Sequence, residues 1–109
     1  MPERVLNVTI VDDTTSPRTC TGDCGTDWSK VEVLEAARKQ IMERFGGRAV
    51  LDYIDLPHAP DTPKTRKTRV AVKGIPLPVL LADERPRVAG EFDVGRIMDV
   101  IEVDLEAEL

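Results

Sequence analysis

One amphipathic run, from Ser29 to Phe45, constrains the fold of this chain more than any other feature, because a β-branched run lies on either side of it. Ser29-Lys30-Val31-Glu32 has the spacing of a capping box, in which the serine hydroxyl accepts from a first-turn amide and the glutamate reaches back. Trp28 and Val33 sit at hydrophobic-staple spacing across that cap. Val31, Leu34, Ala37, Ile41 and Phe45 recur at helical intervals, Met42 widens the stripe, and Gly46-Gly47 supplies a stop. Val5 to Val11 before the helix and Val50 to Leu56 after it read as strands. Two strands joined by a helix of this length pair in parallel through a right-handed crossover.

The remainder of the chain adds elements to this unit. Thr62-Pro63 has the form of a helix cap followed by proline, and Gly74 can close the segment. Its interior offers only Val70, Ala71 and Val72 as apolar residues, so the expectation is a short, weakly held helix inside a mobile basic loop. Pro78 to Ala82 is a continuous apolar run suited to a strand covered on both faces. Asp83-Glu84-Arg85 makes a turn, and Pro86 to Ala89 is short enough for an edge strand. After Gly90, Asp93 is placed to cap a last helix with Val94, Ile97, Met98, Ile101 and Leu105 on its apolar face, fraying after Glu106. The order is β-α-β-(α)-β-β-α, read as one domain over residues 1–109.

Composition narrows the function classes. Fifteen basic against twenty acidic residues give a net charge of −5, which argues against a general nucleic-acid binder. No run is long and apolar enough to span a bilayer, and no signal peptide is read at Met1-Pro2-Glu3-Arg4, so a cytoplasmic location in a microbial cell is expected. Two cysteines, Cys20 and Cys24, are too few for a disulfide scaffold, and both fall in the polar loop after the first strand.

That element order, with cysteines just after the first strand and a proline opening the third, resembles the thioredoxin and glutaredoxin superfamily over Val5 to about Glu102. The resemblance implies an α/β, thioredoxin-like fold with a mixed four-stranded sheet and helices on both faces, and it is shared with small bacterial thioredoxin-like proteins having a Tyr53-Ile54-Asp55 type of second strand. Ile75 to Leu81 looks like the segment in which the superfamily holds a cis-proline beside its active-site cysteines. Pro76 and Pro78 compete for that part, and the spacing to the Asp83-Glu84 turn favours Pro78. Val88 to Asp93 looks like the glutaredoxin segment that helps hold glutathione, with Gly90 and Asp93 matching and the second glycine absent.

The resemblance implies a thiol–disulfide redox protein with Cys20 and Cys24 as catalytic residues and Leu77, Pro78, Gly90 and Asp93 binding the substrate. The superfamily motif is Cys-x-x-Cys, whereas Cys20-Thr21-Gly22-Asp23-Cys24 is one residue longer. Three intervening residues including a glycine can bring two Cα atoms within about 6 Å, the bridging range. Cys24 is the nucleophile if the helix reaches back to it, and the family order favours Cys20. Asp23 and Asp27 raise a nearby thiol's pKa and Arg18 opposes them. Protein thiols or disulfides are the expected partners, a small thiol a further option, and no cofactor is expected.

Two other classes compete: a non-catalytic binding module on the same scaffold, and a metal carrier. The carrier would join both thiolates to His58, the only histidine, with Asp55 or Asp61 completing the set. His58 otherwise reads as a solvated loop residue. The basic run Lys64, Arg66, Lys67, Arg69 and Lys73 reads first as a solvated segment and second as a guide for an anionic partner. Trp28 either covers the cysteine loop or only staples the helix start. Asp12-Asp13 reads as a strand terminus rather than an acid–base pair, because no His or Lys lies nearby in sequence.

Overall fold

The computed structural model of the protein describes residues 5–13, 28, 30–75, 77–90 and 92–107. Strand β1 (Leu6–Asp12) leads to helix α1 (Val31–Phe45) and strand β2 (Ala49–Asp55). Helix α2 (Pro63–Ala71), strands β3 (Val79–Ala82) and β4 (Arg85–Ala89) and helix α3 (Val94–Ala107) follow. The four strands form one mixed sheet in the order β2-β1-β3-β4. β1 pairs in parallel with β2, Val8 opposite Leu51, and antiparallel with β3, Ile10 opposite Leu80. β4 is antiparallel to β3, with an irregularity between Leu80 and Leu81. Asp83 and Glu84 at the hairpin turn both have positive φ (49° and 69°), the pattern that matches a two-residue turn to the twist of its strands.

Side chains alternate across the central strands and divide the core in two. Leu6, Val8 and Ile10 of β1 and Leu80 and Ala82 of β3 join Leu34, Ala37 and Ile41 of α1 and Ile97, Val100, Ile101 and Leu105 of α3. Val11, Val79 and Leu81, on the opposite face, meet Val72 at the end of α2, with Leu56, Ile75 and Leu77 at the margin. Each fully buried Ile or Leu contributes about 1.5–3 kcal/mol. The larger cluster therefore carries most of the apolar stabilisation.

Three local expectations are corrected. Lys30, extended at φ −85° and ψ 126°, is the residue that precedes α1, and its side chain makes no cap hydrogen bond. Ser29, the expected cap, lies outside the described residues. Val31 and Met42 are 64% and 60% exposed, so the buried stripe of α1 is narrower than its periodicity suggests. Residues 63–71 form the short helix expected there, with Thr62 as its cap and Pro63 at its first position, but its buried side is not the apolar one. Thr62 Oγ1 accepts from the Thr65 amide at 3.2 Å, and Thr65 and Thr68, not Val70, are its buried side chains. The helical period turns the threonines toward the sheet, and the Thr68 hydroxyl donates to the Lys64 carbonyl at 3.0 Å.

Candidate functional site

The strand directions gather the sequence-derived binding residues at one edge of the sheet. Val11 stands opposite Val79, and Val79 opposite Ala89, so the ends of β1, β2 and β4 and the start of β3 share that edge. Leu77 and Pro78 enter β3 there, and the peptide between them is cis. Gly90, at φ +85°, turns the chain out of β4 in a conformation that L side chains rarely adopt. Asp93 follows, and its Oδ1 accepts the Arg96 amide at 3.0 Å. This carboxylate caps α3 and satisfies one of its free amides.

α1 starts at the same edge. Trp28, Glu32 and Val33 line one apolar cleft together with Asp93 and Val94, so the first turns of α1 and α3 are neighbours. Each helix N-terminus carries roughly half a positive charge, which favours an anion or thiolate brought to it. Trp28 is 1% exposed and stacks on Phe92 with ring centroids 5.6 Å apart. The stack ties the chain entering α1 to the chain entering α3. Among the described residues the indole N–H has no hydrogen-bond partner, a cost of about 1–3 kcal/mol that burial of the ring offsets.

Asp12 closes the edge from below. It is 3% exposed, its Oδ1 accepts the Asp13 amide at 2.8 Å, and its Oδ2 accepts the Tyr53 hydroxyl at 3.2 Å. Asp12 read as a strand terminus because its partner is distant in sequence. Period-two alternation was the available signal: Asp12 follows Val8 and Ile10 on one face, and Tyr53 follows Ala49 and Leu51 on the same face.

Cys20 and Cys24 lie outside the described residues. They fall in the sequence between Asp13 and Trp28, both of which belong to this edge. Of the donors proposed for a metal, His58 Nδ1 is 2.7 Å from Asp55 Oδ2. Asp61 is engaged separately by Arg66, Nε to Oδ1 at 2.9 Å and Nη2 to Oδ2 at 3.1 Å. The Arg66 guanidinium holds the Asp61 carboxyl below the ordinary carboxylate range. Among the described residues, no three His, Cys, Asp or Glu side chains converge as a metal site.

The chain is similar in fold to SA0789 of Staphylococcus aureus. That crystal structure, of a protein of unknown function, matches 94% of this chain and 93% of its own at a TM-score of 0.61 and 12% identity. The likeness concerns the fold alone. No family model matches the sequence, and no curated protein matches it.

Within the basic run, Arg69 donates to the Leu56 carbonyl at 3.2 Å and Lys67 faces Glu84 at 3.9 Å. Much of that run therefore has local partners. No helix among the described residues is long and apolar enough to cross a membrane.

Proposed function

We propose that the protein is a thiol–disulfide redox protein of thioredoxin-like fold, working through Cys20 and Cys24 in a reducing cytoplasm. The observation that carries this reading is the convergence of Leu77, Pro78, Gly90 and Asp93 on the edge where the cysteine-bearing segment leaves at Asp13 and returns at Trp28. The sheet order and the parallel β1–β2 pair beside an antiparallel hairpin also support it.

In the proposed reaction one cysteine thiolate attacks a partner disulfide, forming a mixed disulfide and expelling one partner thiolate. The second cysteine then attacks that mixed disulfide, closing Cys20–Cys24 and releasing the second partner thiolate. The partner is reduced by two electrons and the protein is oxidised by two. The Leu77 backbone presents the partner strand by β-addition, and the cleft beside Trp28 takes an apolar partner side chain. Asp93 already serves α3 as its cap, which favours a protein partner over a small thiol.

Thiol trapping with a mass-tagged alkylating agent, before and after treatment with oxidised glutathione, tests the proposal. The wild type should take up two tags when reduced and none when oxidised, and it should reduce insulin. Cys20→Ser and Cys24→Ser should each abolish insulin reduction. Two tags under both conditions, with no insulin reduction, would overturn the redox reading and leave the non-catalytic module.

A further inference from the structure

The two outer helices carry opposite charge on opposite faces of one sheet. Between Asp61 and Gly74 there are five basic residues and one acid, and between Phe92 and Ala107 five acids and one base. α2 packs on the face of Val11 and Val79, α3 on the face of Ile10 and Leu80, so the helices cannot neutralise each other within one molecule. Each also exposes one valine: Val70 on α2 at 77% and Val103 on α3 at 54%. On α2 Val70 lies one turn from Lys67, with Lys73 in the turn just past the helix, and on α3 Val103 is flanked at helical spacing by Asp99 and Glu106. Each patch centres on an exposed valine and the two are opposite in charge, with Lys67 also facing Glu84 at 3.9 Å.

We propose that the α2 face of one molecule docks on the α3 face of a second copy. Val70 meets Val103, and Lys67 and Lys73 meet Asp99 and Glu106. Because the patches lie on opposite faces, the contact is heterologous and cannot close as a two-fold pair, so copies add head to tail. The net charge of −5 opposes association at long range. Around 50 mM salt the screening length is roughly 14 Å, which damps repulsion between whole molecules while leaving contacts of about 4 Å largely unscreened. At about 500 mM the contacts themselves are screened.

Sedimentation equilibrium of the full chain at two salt levels reads the association directly. At about 50 mM salt and protein near 1 mM the average mass should rise with concentration past the dimer, and at about 500 mM it should fall to the monomer. The double variants K67E/K73E and D99K/E106K should each be monomeric alone and associate when mixed in equal amounts. Val103→Ser should weaken association by about fivefold with the salt dependence unchanged. A wild type monomeric at both salt levels, a salt-independent dimer, or a mixture that stays monomeric would each overturn the proposal.

Discussion

Arg87 and Asp104 show how one exposed strand residue secures a helix. Arg87 Nη2 lies 2.9 Å from Asp104 Oδ1, with Asp104 almost enclosed on α3 and Arg87 partly open on β4. Among the described residues Asp104 Oδ2 has no hydrogen-bond partner, so Arg87 is the main compensation for burying that carboxylate. Removing one partner leaves an uncompensated buried charge, whereas replacing both with apolar groups is often neutral. Arg87→Met alone should cost about 2 kcal/mol in urea denaturation, and adding Asp104→Leu should restore most of it. Asp104 was not legible in sequence: it falls on the inner face between Ile101 and Leu105, and its partner lies on another element.

At the scale of elements, capping and periodicity act together, but burial decides which residues of a stripe matter. α1 ends where Gly46 adopts φ +62° and donates its amide to the Met42 carbonyl. Ile41 is 2% exposed against 60% for its neighbour Met42. Ile41→Ala should therefore lower stability by about 2–5 kcal/mol, while Met42→Ala should stay within about 0.5 kcal/mol, both read from denaturant midpoints. The apolar letters of α1 were enough to predict a helix and its stop. They could not say that Val31 and Met42 lie at the rim, because the sheet covers only one side. For α2 the cap and proline suggested a short helix, and the few apolar residues suggested that it was weakly held. The Thr62 cap and the inward Thr65 and Thr68 make it a helix whose buried side is polar but hydrogen-bonded.

Across the whole molecule the two faces of the sheet are unequally held. Among the described residues, the face covered by α1 and α3 joins seventeen buried residues into one cluster, whereas the α2 face has four. Local opening draws on the element with the least apolar packing, so α2 should open below the global unfolding free energy. Native-state hydrogen exchange should find the amides of α2 less protected than those of β1 and α3. Val72→Ala should widen that gap by about 2 kcal/mol.

The sheet edge where the proposed binding residues meet belongs to this scale as well. Gly90 and Asp93 were readable as turn and cap residues, since glycine and aspartate have local conformational reasons to stand at strand and helix ends, and Pro78 was readable as the residue opening β3. The buried Asp12–Tyr53 contact was readable only in part: period two puts both residues on one face, but the contact itself joins residues 41 positions apart.

The sequence by itself determined the element order, the parallel β1–β2 unit, the β3–β4 hairpin and the caps at Thr62 and Asp93. All of these rest on interactions within a few residues or on side-chain periods of two and about 3.6. Only the tertiary structure decided which face each helix covers, which apolar residues are left outside, and that Asp12 and Asp104 are enclosed. Those outcomes depend on area removed from water between distant segments, a quantity that no local pattern contains.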